Sequence, residues 1–166
     1  MTIQKSTIQD IDTIFNLYDE AIAFQKTVFE KAWEGFERSL VELEVSENRQ
    51  WKIIIDNEIA CIFAITFSDV EIWRERTEPS VFIHRIVTNA KFRGRNFVLI
   101  IIEWAKEFCK KNDLEFIRID TWGDNPRLVE YYIKCGFTFI DTIDVSQAKG
   151  LPKHYRGILA RLEIKI

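Results

Sequence analysis

Apolar and polar positions along this chain recur at two different periods, and the changes of period divide it into elements. From Thr7 the residues Ile8, Ile11, Ile14, Phe15, Tyr18 and Ile22 return at three- and four-residue intervals, which predicts an amphipathic helix capped by Ser6 or Thr7. Trp33, Phe36, Leu40, Leu43 and Val45 predict a second amphipathic helix ending near Asn48. The period then falls to that of strands. Trp51 to Ile55, a turn at Asp56-Asn57-Glu58, and Ile59 to Phe67 read as a hairpin, and Thr2 to Lys5 as a short first strand. A strand follows over Pro79 to Thr88, then a helix from about Asn96 to Lys111 with Phe97, Ile100, Ile101, Trp104 and Phe108 along its packed side. Glu115 to Asp120 reads as a strand, and Asn125 to Lys134 as a helix closed by Gly136. Phe137 to Val145 and Gly157 to Ile166 are the last two strands. In the final one Ala160, Leu162, Ile164 and Ile166 alternate with Arg161, Glu163 and Lys165, which predicts one wet face.

The predicted order is β-α-α-β-β-β-α-β-α-β-β. Helices set among hairpins and crossovers imply a mixed, mostly antiparallel central sheet flanked by helices, an α/β fold. A chain of 166 residues suffices for one domain, expected to span 1–166, with long irregular stretches at Ser68 to Glu78 and Ser146 to Arg156. There are no repeats and no low-complexity tract.

Composition narrows the function. With 47% hydrophobic and 30% charged residues the chain is globular, and a net charge of −3 argues against a general nucleic-acid binder. Positive charge is concentrated at Lys91, Arg93 and Arg95, which favours a small anionic ligand. Cys61, Cys109 and Cys135 are odd in number and lack C-x-x-C spacing, so they read as buried free thiols, with neither a disulfide framework nor a metal site expected. No leader pattern and no run of 18 apolar residues is seen, so a cytoplasmic location without membrane partners is expected.

The chemistry concentrates between Glu78 and Phe137. An apolar strand, Val81 to Thr88, runs into the basic turn Lys91-Phe92-Arg93-Gly94-Arg95-Asn96-Phe97, which opens a helix. Such a loop offers unpaired backbone N–H groups, the positive end of a helix dipole and guanidinium groups to one anion, and a diphosphate suits it. Strand, loop and helix resemble the acyl-CoA-binding core of the GNAT family of N-acetyltransferases, whose loop reads R-G-x-G-x-G/A. Arg93 and Gly94 match, while Asn96 and Val98 stand at the two later small positions. Asn is the best non-glycine choice where φ is positive, and Val a poor one. Asn125, followed seven residues later by Tyr132 and then by Gly136-Phe137, keeps the family's spacing.

The resemblance implies a GNAT fold and an acetyl-CoA-dependent N-acetyltransferase acting by direct transfer, without metal, on a primary amine of a small molecule or peptide. It assigns Ile86, Val87, Thr88, Arg93, Gly94, Arg95, Asn96, Phe97, Val98, Asn125 and Tyr132 to acetyl-CoA. Backbone groups of Ile86 to Thr88 would meet the pantetheine arm like a short added strand, with one amide polarising the thioester carbonyl. A sheet opened by a bulge in this strand would distinguish that role from ordinary sheet pairing. Tyr132 takes the place of a tyrosine that protonates the departing thiolate, the alternative being helix packing together with Tyr131. His84 stands where many members carry a glutamate acting on the amine; imidazole suits a general base, and a structural histidine is the alternative. Asn125 is a CoA ligand or the cap of its helix, with Pro126 at the first helical position.

Trp33, Phe36, Trp73, Trp122, His154 and Tyr155 form a candidate aromatic wall for the acceptor, or core. Glu71, Glu75 and Glu78 form an acidic loop able to attract an amine, or a solvated one. The competing function is a non-catalytic CoA-binding or interaction domain on the same fold, and a homodimer stays open. A doubly wound nucleotide-binding protein fits less well, because the loop is not G-x-G-x-x-G and no acid follows at ribose distance.

Overall fold

The computed structural model describes residues 1–148, 151 and 155–166. Its elements are β1 (Thr2–Lys5), α1 (Ile11–Val28), α2 (Arg38–Ser46), β2 (Gln50–Ile55), β3 (Glu58–Thr66), α3 (Val70–Trp73), β4 (Ser80–Thr88), α4 (Phe97–Lys111), β5 (Phe116–Trp122), α5 (Pro126–Lys134), β6 (Thr138–Asp144) and β7 (Ile158–Lys165). Apart from the short α3, this is the order expected from the sequence. The seven strands form one mixed, mostly antiparallel sheet in the order β1-β2-β3-β4-β5-β7-β6, flanked by helices. The chain divides into two compact units, 1–65 with 85–97, and 66–84 with 98–166.

In the first unit β1 pairs with β2 and β2 with β3, all antiparallel. Asp56 and Asn57 turn this hairpin at φ 50° and 63°, the left-handed pair that matches the twist of the flanking strands. Helix α1 is preceded by a 3₁₀ turn in which the Asp10 carboxylate accepts from the Thr7 N–H at 2.6 Å and binds the Lys52 ammonium at 2.6 Å. Ile14, Leu17, Tyr18, Val41, Ile62 and Val87 form the core here. Two expectations change. Ile8 is 76% exposed, because the 3₁₀ turn carries it off the packed stripe. Helix α2 starts only at Arg38, and Trp33 and Phe36 reach the core from the connecting segment, their rings 6.3 and 4.7 Å from Tyr18. The buried positions of α2 are Val41 and Glu44, while Leu43 is half-exposed.

In the second unit β4 and β5 run parallel, paired from Ser80↔Phe116 to Phe82↔Arg118, and β7 pairs antiparallel with both β5 and β6. The expected wet face of β7 is dry at Arg161, which is 4% exposed. Asp141 on β6 holds its guanidinium by two 2.7 Å bonds, and the Ile72 carbonyl accepts a third. Arg118 on β5 is likewise fully buried, bonded to Glu163 at 3.0 Å and to Glu78 at 2.8 Å. Both guanidiniums stack on the buried Trp73, 4.9 and 5.6 Å from the ring centroid. Helix α5 is different in kind: none of its residues is buried, although its apolar and polar residues separate cleanly onto two faces. The three cysteines are free, Cys61 and Cys109 buried and Cys135 only half-buried. No helix among the described residues is long and apolar enough to cross a membrane.

Candidate active site

Strand β4 carries an irregularity at its centre. Arg85 sits at φ 49°, a left-handed conformation that costs a residue with a Cβ about 1–2 kcal/mol and breaks the regular pleat. Its side chain shows what holds it there. The guanidinium donates to both oxygens of the buried Glu44 carboxylate, donates to the Tyr18 hydroxyl at 3.2 Å, and lies 5.2 Å from the Phe36 ring centroid. Burial pushes the Tyr18 phenol upward, while the facing Tyr18 and Glu44 keep Arg85 charged against the opposing effect of its burial. Ile86, Val87 and Thr88 follow directly. Beyond them the chain is pinned by Asn89, whose backbone N–H reaches the Ala60 carbonyl at 3.0 Å and whose side chain donates to the Ile59 carbonyl and accepts from the Lys91 N–H.

In the basic loop, Gly94 at φ 79° and Asn96 at φ 54° both adopt the left-handed region, so Asn96 takes the conformation that a glycine would take in its place. Val98 falls inside α4, where no such backbone is asked of it. The positive charge is partly engaged. Lys91 is paired with Glu58 at 2.5 Å, and the Arg93 guanidinium stacks 4.1 Å from the Phe24 centroid. Arg95 lies 5.6 Å from Phe92, and Phe97 is buried.

The second unit holds His84, Asn125 and Tyr132. The Asn125 side chain accepts from the Leu128 N–H at 3.2 Å, so it caps α5, with Pro126 in the first turn. Tyr132 is half-buried and meets Phe137 edge-on at 5.9 Å, whereas Tyr131 is 40% exposed. Glu75 faces Arg161 at 3.5 Å and Glu78 faces Arg118, so two of the three acids in the loop before β4 answer to buried arginines. Of the aromatic residues named above, Trp73 is fully buried, Trp122 nearly so and Tyr155 half-buried; His154 lies outside the described residues.

His84 does not stand alone. Its Nε2 is hydrogen-bonded to Thr66 Oγ1 at 3.1 Å and lies 3.8 Å from Asp69 Oδ2, while its Nδ1 lies 4.0 Å from Asp120 Oδ1. All three side chains are largely enclosed. Burial pushes the Asp120 carboxyl up to about 8, helped by the charge of Asp69 and opposed by a hydrogen bond from Tyr155. Burial likewise pushes Asp69 up to about 6, with Glu71 adding to the rise. Ligand-type atoms of the three lie within 4.8 Å of one another, close enough to be considered for a metal ion. The carboxylates address opposite ring nitrogens, however, which is the surrounding of an imidazolium rather than of one coordination sphere. Sequence reasoning missed both acids. Asp120 is the acidic residue within the strand Phe116–Trp122, and an acid in a central strand was the available signal; Asp69 precedes α3 in a stretch read as irregular.

This fold, with a left-handed break in its central strand and a positive-φ loop before α4, is that of an acyltransferase. The profile of the Acetyltransferase (GNAT) family matches residues 28–137, more than half of the chain, and the chain belongs to that family of enzymes. Solved structures agree on the fold. An acetyltransferase of the GNAT family from Listeria monocytogenes has a TM-score of 0.80 at 17% identity, covering 99% of this chain and 94% of its own. A ribosomal-protein-alanine N-acetyltransferase from Brucella melitensis has a TM-score of 0.70 at 12% identity over 100% of both chains. A chimeric spermidine N-acetyltransferase of Vibrio cholerae origin has a TM-score of 0.67 at 15% identity, covering 99% and 96%. No curated protein matches the chain.

Proposed function

We propose that this chain, acting as one domain over residues 1–166, moves an acetyl group from acetyl-CoA directly to a primary amine of a small molecule or peptide. The observation that carries this reading is the left-handed Arg85 immediately ahead of Ile86 to Thr88. A left-handed residue there interrupts the regular twist of the strand, which supports a role for the backbone groups that follow it in meeting a pantetheine arm. Arg93, Gly94, Arg95, Asn96, Phe97 and Val98 are assigned to the diphosphate and its surroundings, and the glycine-like backbone of Asn96 supports the assignment. Asn125 both caps α5 and is assigned to CoA. Tyr132, half-buried on a helix with no fully buried residue, is assigned to the thioester sulfur.

In the proposed reaction an uncharged amine attacks the thioester carbonyl, a backbone amide of β4 stabilises the oxyanion, and the C–S bond breaks. His84 is the base and Tyr132 the acid. Its enclosure by ionisable groups supports catalysis over the non-catalytic CoA-binding reading, since perturbed titratable residues gather at functional sites. Release of free CoA thiol from acetyl-CoA tests the proposal. The acceptors would include spermidine and an alanine-bearing peptide, because two proteins of this fold are named for spermidine and for ribosomal-protein alanine. Binding is read separately. CoA at 100 times its dissociation constant should stabilise the protein by about 2.7 kcal/mol, and an unchanged melting temperature at saturating CoA defeats the proposal.

A further inference from the structure

His84 has a carboxyl group on each side of its ring. Asp120, from β5, faces Nδ1, and Asp69, from the segment before α3, faces Nε2. A lone buried imidazole favours its neutral form, because desolvation disfavours the cation. Carboxyl groups on opposite edges couple to the ring instead: a proton on either nitrogen favours ionisation of the acid that faces it, and an ionised acid favours that proton. Water does not readily substitute for them, as the side chains of Asp69 and Asp120 are only 12% and 6% exposed. Other groups that face the cluster include Thr66, which is neutral, Tyr155 against Asp120, and Glu71 near Asp69. The imidazole and the two acids, lying this close together, compete for protons.

We propose that His84 and Asp120 form one proton-accepting unit, completed by Asp69 across the ring, and that this unit rather than His84 alone is the base of acetyl transfer. The proposal rests on the acetyltransferase reading above and deepens it. Two protons leave the acceptor nitrogen in one turnover. The first passes from the incoming ammonium to His84 Nε2, with Asp69 beside it, as the N–H bond breaks and its electron pair becomes the nucleophile. Asp120 holds the resulting imidazolium through Nδ1 until the proton returns to solvent. The second proton leaves the nitrogen once its bond to the acetyl carbon has formed, and matches the one that the departing sulfur acquires from Tyr132. An ammonium and a thioester thus become an amide, a thiol and one solvent proton. Asp120 is a positioning residue in this scheme, because it acts only through the ring.

The chain contains two histidines, so the imidazole signals of the whole protein can be assigned by comparison with His84→Gln. The His84 titration is then followed by nuclear magnetic resonance, without CoA or acceptor, in the wild type and in Asp120→Asn. Asparagine keeps the shape and the bond from Tyr155 but cannot carry the countercharge. The midpoint of His84 should move to lower pH by about one unit or more, the effect of losing an opposite charge at this range. The acid limb of kcat/KM should move the same way. An unmoved midpoint overturns the proposal even in an active enzyme, and so does a loss of rate with no change in the pH profile, which is what a merely structural role gives. Should Asp120→Asn fail to fold, Asp69→Asn carries the test from the other side of the ring, with the same direction expected and an unmoved midpoint equally fatal. A shifted midpoint in a protein that releases no CoA with any acceptor confirms the proton unit and overturns its catalytic use.

Discussion

Replacing Arg85 by alanine and by glycine separates two effects that this position combines, a buried charge and a left-handed backbone. Both substitutions remove the guanidinium that neutralises Glu44, a carboxylate only 3% exposed, and leave it Arg49 at 3.7 Å as its remaining cation. Removing one partner of a buried pair costs about 3–5 kcal/mol, and the presence of Arg49 points to the lower end. The backbone then distinguishes the two variants. At φ 49° a Cβ is penalised by about 1–2 kcal/mol, which glycine escapes. Glycine loses about 0.5–1 kcal/mol of this through the greater entropy of its unfolded chain. The glycine variant should therefore be the more stable by roughly 0.5–1 kcal/mol, the reverse of the usual order in a strand. Urea unfolding followed by fluorescence and by circular dichroism measures both values, and for a chain of 166 residues each kcal/mol corresponds to about 2–4 °C in Tm. A glycine variant less stable than the alanine variant would refute the left-handed conformation at Arg85 and remove the main support for the proposed function.

Three further outcomes are expected. In the basic loop, Gly94→Ala should cost about 1–2 kcal/mol through φ alone, since nothing lies within 4 Å of the added Cβ, while Asn96→Gly should bind CoA at least as well as wild type by calorimetry. Tyr132→Phe should lower turnover by roughly 10²- to 10⁴-fold with CoA affinity nearly intact, and Tyr131→Phe should leave it unchanged; equal activity of the wild type and the Tyr132 variant removes the general-acid role. Asp69 and Asp120 hold their protons more tightly in the folded protein than in the unfolded chain, where aspartate titrates near 3.8. Their contribution to stability is therefore full below that value and is lost as pH rises through about 6 for Asp69 and about 8 for Asp120. Asp120→Asn should accordingly gain on the wild type between pH 5 and pH 9 in parallel urea titrations, and a constant difference contradicts it.

Most of the fold could be read from local pattern, because the strands and helices here announce themselves by period and by turn chemistry such as Asp56-Asn57. The errors arose where a side chain answers to a partner distant in sequence. Glu44 and Arg161 are charged residues on faces that periodicity assigns to water, and each is buried against opposite charges, above all Arg85 and Asp141. Trp33 and Phe36 carry helical spacing without being helical, because aromatic rings can reach Tyr18 from an extended segment. In the candidate site, His84, the loop and the Asn125 to Tyr132 spacing are contiguous signals and were visible. Asp69 and Asp120 were not, since an acid in a strand acquires meaning only from what the adjacent strand places opposite it.

Helix α5 fully buries none of its residues, so the sequence of its outer face is under little obligation to the core. On the proposed reading, substitutions on its exposed face change what the protein recognises at small cost in stability, so that helix can be retuned in small steps. A mutational scan of Pro126 to Lys134 should read out ligand chemistry with little interference from unfolding, which few other segments of this chain can offer.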